Sequence, residues 1–224
     1  MKKRELKDLL YEQVARIGKA VSSPKRLELL ELLAQGEKSV EVLTAELAVD
    51  IKLVSAHLRA LREAGLVCVR REGKFMIYRL AAGDVAGLWV MLRQVAETHL
   101  GELRTALNHL SGDPSRLLAT SRATLLEQAR QGDVIIIDVR PLSEFHTAHL
   151  PYARSMPMAE IEQHLLHLPL DKEIVAYCRG PFCFLADDAV TVLQSKGYRV
   201  RKLTDGVSEW QAAGFPVEAG EVAA

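Results

Sequence analysis

The amino-acid sequence predicts two domains of different class: an α+β front half and an α/β back half built on a parallel sheet. Three observations carry this. Up to about residue 64, apolar residues recur at three- and four-residue steps between capping residues, and two alternating runs then flank Glu72-Gly73-Lys74. From Asp133 onward, short runs that are apolar throughout alternate with helical spacing, as strands buried on both faces do. Between the halves, SGDPSR at 111–116 is small, polar and broken by Gly112 and Pro114, which reads as a linker. A chain of 224 residues has room for about two domains.

Each element follows from its own signal. Leu6, Leu10, Val14, Ile17 and Val21 predict an amphipathic helix over 4–20. Ser22-Ser23-Pro24 opens a second, leucine-rich helix that stops at Gly36, and a third covers Val40–Ala48. Asp50 caps a fourth, Ile51–Ala64, with Gly65 in the position where a left-handed residue closes a helix. Leu66–Arg71 and Phe75–Leu80 pair as a hairpin. Asp84 starts a long helix to about Leu110, along which Leu88, Leu92, Val95, His99, Leu103, Ala106 and Leu110 form one seam. After the linker, a helix is expected over Leu117–Gln131 and a buried strand over Asp133–Asp138. Strand and helix then alternate through Glu173–Tyr177, Ala186–Lys196, Arg199–Leu203 and Ser208–Ala213. The expected domains are 1–110 and 117–218, with 219–224 as a tail.

Composition excludes several classes. Hydrophobic residues make up 49% of the chain, yet no run approaches the roughly 18 apolar residues of a membrane span. The N-terminal MKKRELKDLL mixes acids with its basic residues and leads into no apolar region of a signal peptide. Three cysteines, an odd number, do not make a disulfide framework, so the cytoplasm is the expected compartment and no membrane partner is expected. Net charge is zero but uneven: residues 1–110 hold 18 Lys and Arg against 14 Asp and Glu, and the back half carries the opposite excess. Only the front half is therefore expected to meet a polyanion.

Short helices, a fourth carrying Lys52, Ser55, His57, Arg59 and Arg62, and a basic hairpin tip make a winged helix-turn-helix. The run SSPKRLELLELLAQGEKSVEVLTAELA, followed by LVSAHLRALREAGLVCVRREGKFMIYRLA, resembles the ArsR-type bacterial repressors, whose pattern is SxHLxxLxxAGLV with a charged wing. Ser55, His57, Leu58, Leu61, Ala64, Gly65 and Leu66 match it, as do Arg70, Arg71, Gly73, Tyr78 and Leu80 in the wing. The physical reading puts the fourth helix in the major groove of a double-stranded DNA operator. Ser55 and His57 then reach bases or phosphates, and Arg70, Arg71 and Lys74 hold phosphates. A solvated helix face is the plainer reading of each. The resemblance also implies a homodimer through residues 4–20 and 84–110. Metal sensing is not expected: VEVLTAEL lacks the CxC of arsenic- and cadmium-sensing relatives, and Ala86 stands where a second ligand is needed. Cys68, with no thiol near it, reads as packing.

The stretch IVAYCRGPFCFLADD, 174–188, reads strand, tight loop, helix. Amides at a helix N-terminus point back at Cys178, which predicts a nucleophile of lowered pKa; a buried structural cysteine is the alternative. Four separated motifs over about residues 117–217, namely IIIDVRPLSEFHTAHLPYARSMP, VAYCRG, SKGYRVRKLTDGVSEW and QAAGFPV, resemble a single-domain rhodanese. That resemblance implies a sulfur-accepting Cys178, a loop of Arg179, Gly180, Pro181 and Phe182, and Asp138 with Arg140 as a supporting pair. Where the family's loop would continue to a second arginine and a hydroxyl, this chain has Cys183 and Phe184. Losing that cation implies weak thiosulfate:cyanide transfer; gaining Cys183 opens disulfide or sulfur-bridged chemistry. The functions expected are a repressor that reads a small sulfur donor or oxidant without a cofactor, or a sulfurtransferase tethered to DNA. A phosphatase- or arsenate-reductase-like use ranks last, since it wants an arginine at the loop's end.

Overall fold

The computed structural model describes residues 2–111, 113–165 and 168–220. Residue 112 of the expected linker and residues 221–224 of the expected tail lie outside them. By packing, the chain divides into two units, one ending at Trp89 and one beginning at Val90, upstream of the 111–116 segment where composition changes.

In the first unit, α1 (Lys3–Val21), α2 (Pro24–Ala34), α3 (Val40–Leu47) and α4 (Ile51–Glu63) precede the hairpin of β2 (Val67–Glu72) and β3 (Phe75–Leu80). Caps act where the sequence places them. Pro24 opens α2, the Asp50 carboxylate accepts the Lys52 N–H at 2.8 Å to start α4, and Gly65 takes φ 77° after it. A two-residue strand not foreseen, β1 (Lys38–Ser39), adds to β3, giving the antiparallel order β1-β3-β2. The core is leucine: Leu29, Leu30, Leu43, Leu58 and Leu61 are buried with Val54 and Val67.

The expected single helix over 84–110 is two. α5 (Gly83–His99) and α6 (Gly101–Ser111) break at Leu100, where Gly101, the weakest helix former but proline, begins the second. Seam residues Val95 and His99 are exposed within one chain, as is Leu100.

The second unit is an α/β layer fold. The helix expected over 117–131 begins only at Arg122. Leu117 instead bridges in parallel to Lys202 and the Leu118 N–H reaches the Lys202 carbonyl, while Ser121 caps α7 (Arg122–Gln131) by accepting the Thr124 N–H. β4 (Val134–Asp138), β5 (Arg154–Ser155), β6 (Glu173–Tyr177) and β7 (Arg199–Lys202) form an all-parallel sheet in the order β5-β4-β6-β7. Its connections include α8 (Leu142–Thr147), α9 (Ile161–His164) and α10 (Leu185–Ser195), and α11 (Val207–Ala212) follows β7. Alternate side chains feed two cores. Ile135, Ile137, Ile174, Ala176 and Cys178 pack with Ala186, Ala189 and Leu193 of α10; Val134, Ile136, Val175 and Tyr177 pack with Leu125 and Trp210. Burial on both faces explains why these strands read as apolar runs without alternation.

Leu58 carries the clearest energetic forecast for the first unit. Leu58→Ala should lower its stability by about 2–5 kcal/mol, because the fully buried site cannot collapse around the cavity. Arg62→Ala, on the exposed side of the same helix, should stay within about 0.5 kcal/mol. Urea midpoints of the two variants check both figures.

Candidate functional site

On α4, burial of Val54, Leu58 and Leu61 leaves the opposite side of the helix in water. Lys52, Ser55 and Arg59 lie there at three- and four-residue steps, lining one shallow groove with Ile51 and Ala56, and exposed Arg62 continues the row. His57 stands apart. It is half-buried, and burial first and the Arg26 charge second hold its imidazole below the usual range. In the wing, Gly73 turns the hairpin at φ 59°. Arg70 is paired with Glu37 at 2.8 Å and with Glu72, Arg71 donates to the Gly73 carbonyl at 3.0 Å, and the Lys74 ammonium lies 5.3 Å from the centre of the Phe75 ring. Hydrogen bonds donated to Glu37 and Glu72 hold the Arg70 proton more firmly.

The second unit builds a loop where β6 ends. Tyr177 closes the strand; its hydroxyl donates to Asp138 Oδ2 at 2.5 Å and accepts the Leu150 N–H. Arg140 grips the same Asp138 carboxylate and the Ala148 carbonyl. Asp138 and Arg140 are thus a fully buried pair that ties β4 to the end of β6, one residue before the loop.

Cys178 then sits at the floor, only 1% exposed. Gly180 takes φ 141°, and the Cys183 N–H returns to the Gly180 carbonyl at 3.1 Å, so the chain folds over the first thiol. Cys178 Sγ lies 3.5 Å from the Cys183 carbonyl oxygen, to which its S–H donates. The Cys178 thiol and the backbone N–H groups of Arg179 and Leu185 lie toward the half-buried Cys183 sulfur, and the backbone N–H groups of Gly180 and Ala186 lie toward that of Cys178. These contacts split the two thiols. Burial, and then the neighbouring Cys183, push the Cys178 thiol well above the usual range, whereas the hydrogen bond from Cys178, the backbone amides and the Arg179 charge pull Cys183 down. The lowered pKa expected of Cys178 is not found there: burial among apolar side chains outweighs the Gly180 and Ala186 amides that face its sulfur, and Cys183, nearer the surface, is the thiol held down.

Three supports escaped the sequence reading. Glu144, buried in α8, binds Arg179 through both oxygens at 2.7 and 3.0 Å. Gly206 passes so close to the loop that a Cβ there would lie 2.5 Å from the Arg179 carbonyl oxygen, so no larger residue fits. Glu209 accepts the Gly206 N–H at 2.8 Å and pairs with Arg93 at 2.9 Å; a Cβ on Gly180 would meet its carboxylate at 3.2 Å. The glycine followed three residues later by glutamate is a helix-start signal that could have flagged Glu209. Arg93, 116 positions away, has no local signal. Its guanidinium lies 5.8 Å from the centre of the Phe182 ring, while Pro181 and Phe182 form the turn itself. Among the described residues, no group of three or more His, Cys, Asp or Glu side chains could hold a metal ion. No described helix is long and apolar enough to cross a membrane.

The Arg93–Glu209 pair gives the second forecast. Both side chains are 3% exposed, so Arg93→Ala strands a buried carboxylate and should destabilise the second unit by about 3–5 kcal/mol. Removing both charges with Arg93→Met and Glu209→Gln should recover much of that loss. Equal unfolding midpoints for wild type and Arg93→Ala would rule out a structural role for the pair.

Comparison with known proteins agrees with both halves. Residues 23–69 match the family of bacterial regulatory proteins termed arsR, and residues 121–213 match the rhodanese-like domain. The chain is 42% identical over 214 residues to the HTH-type transcriptional regulator Rv0324 of Mycobacterium tuberculosis, covering 96% of this chain and 94% of that one. It is 32% identical over 90 residues to a sulfurtransferase of Allochromatium vinosum, covering 40% of this chain and 82% of the relative. Among solved structures, a homodimeric winged helix-turn-helix DNA-binding domain from Mycobacterium bovis is 43% identical, with a TM-score of 0.42, over 46% of this chain and 93% of that one. The chain thus belongs to the ArsR family of transcriptional regulators, in a form that carries a rhodanese-like domain behind its winged helix-turn-helix.

Proposed function

We propose that this regulator is a homodimeric repressor whose rhodanese-like loop reads reactive sulfur, or a related oxidant, through Cys178 and Cys183. The observation that carries the proposal is the second thiol: Cys183 occupies the loop position where rhodaneses place an arginine, and the turn brings its backbone to 3.5 Å from Cys178 Sγ. A loop with that cation replaced by a thiol favours neutral or sulfane donors over oxyanions, and it can store a signal as a covalent bond. Lys52, Ser55, Arg59 and Arg62 present an exposed row for the major groove, and Arg71 and Lys74 add exposed charge at the wing. His57 contributes from the side of α4, and Arg70 must exchange a carboxylate for a phosphate to take part. A second copy is supported by α1: Leu6, Leu10 and Val14 share one side of the helix and remain exposed, Val14 at 70%.

If sulfur modification changes DNA affinity, DNA changes the ease of modification by the same factor, since both draw on one conformational equilibrium. The alternative is a sulfurtransferase held on DNA, with no change in affinity; the likeness to a protein named sulfurtransferase favours it.

Operator titrations at fixed salt, before and after polysulfide, decide between them. The proposal expects wild-type affinity to shift several-fold while Cys178→Ser and Cys183→Ser stay constant; sulfur uptake with flat affinity would leave the tethered enzyme. On the DNA side, Arg59→Ala should weaken binding to all sequences and reduce the slope of log affinity against log salt by about one. An unchanged slope would remove Arg59 from the phosphate contacts.

A further inference from the structure

The turn folded over Cys178 is what an approaching molecule meets before the buried sulfur, and its outer surface is apolar. Pro181, Phe182 and Cys183 are half-buried, and Phe184, where α10 begins, is 63% exposed. Met158, Cys183 and Leu185, also half-buried, pack against the core that holds Cys178. No residue from Gly180 to Ala186 carries a charged side chain. One exposed ring alone would need no explanation, but Phe184 continues an apolar run that lies directly over a thiol.

The cations near the turn are already paired. Glu144 holds Arg179 through both oxygens, Asp138 holds Arg140, Glu209 and Glu97 hold Arg93 beside the Phe182 ring, and Asp187, in the first turn of α10, holds Lys202. Asp188 adds another carboxylate in that turn, one helical step from Phe184. The amides are engaged as well: those of Gly180 and Ala186 lie toward the Cys178 sulfur, and those of Arg179 and Leu185 toward that of Cys183. A donor with anionic oxygens must compete with carboxylates for these cations and with the chain's own sulfurs for these amides.

We infer that the turn selects its sulfur donor by the donor's carbon body: a persulfide R–S–SH whose R group is uncharged and apolar, aromatic above all, rests on Phe184 and Phe182. The inference rests on the reading of this loop as a reactive-sulfur site and adds the class of donor to it. Cys178–SH and R–S–SH give Cys178–S–SH and R–SH. The donor S–S bond breaks, an S–S bond forms to Cys178, and the thiol proton ends on the leaving sulfur. An aromatic R gains ring contact and loses apolar surface to water; an anionic R gains neither and meets Asp187 and Asp188.

The test follows sulfur addition to the loop by peptide mass, in the reduced full chain, with benzyl persulfide and with glutathione persulfide. Comparing each donor with itself across variants cancels its intrinsic reactivity. Phe184→Ala alters an exposed position and should leave the fold intact. It should slow addition from benzyl persulfide by roughly fivefold and change addition from glutathione persulfide much less. Phe184→Lys should slow benzyl persulfide too, yet speed glutathione persulfide several-fold, because it sets a cation where that donor's carboxylates pass. Equal effects of Phe184→Ala on the two donors, or none on either, would overturn the inference and leave the reactive-sulfur reading standing. Sulfur addition from neither donor to wild type would overturn both.

Discussion

What the chemistry of this chain depends on is the enclosure of one strand end. β6 lies between two neighbours in a sheet buried on both faces, so at Tyr177 the backbone leaves with no water to satisfy its polar groups. The turn from Gly180 to Cys183 satisfies some of them internally, and the two sulfurs satisfy others. Gly206 permits α11 to approach, which sets Glu209 against Gly180, and Glu144 fixes Arg179 from another side. Moving any of these supports would change which amides reach Cys183. Reactivity here is therefore a property of the loop's closure more than of either cysteine.

Much of this was legible in the sequence, for a physical reason. Helix and strand periodicity, the Asp50 cap, Gly65, and the apolar strands before Asp138 and Cys178 are local signals, and the structure places these elements where those signals fall. What escaped was non-local or marginal. The break at Leu100 depends on a single glycine inside a seam that otherwise reads as continuous. Leu117 and Leu118 look helical by composition, yet the open edge of β7 offers them backbone hydrogen bonds. Arg93 finds Glu209 only through tertiary packing. The difference in acidity between the two thiols follows from how deeply each is buried, since backbone amides face both, and residue type does not encode that.

The winged helix-turn-helix unit shows a related division of labour. Its leucine core orients α4, and what remains exposed on that helix includes a row of polar and basic residues. Wing charge is held partly in reserve: Arg70 is neutralised by Glu37 and Glu72, so its contribution to a polyanion depends on exchange of partners. That arrangement makes the charge that Arg70 presents sensitive to small shifts in the wing.

The central claim is that Cys178 and Cys183 act as one site, and the mass of the intact, non-reduced protein after a single equivalent of polysulfide tests it most directly. The account predicts loss of two hydrogens, with Cys178 and Cys183 joined in one linked peptide. Independent sulfur adducts on the two thiols, with no linked peptide at any time, would contradict it.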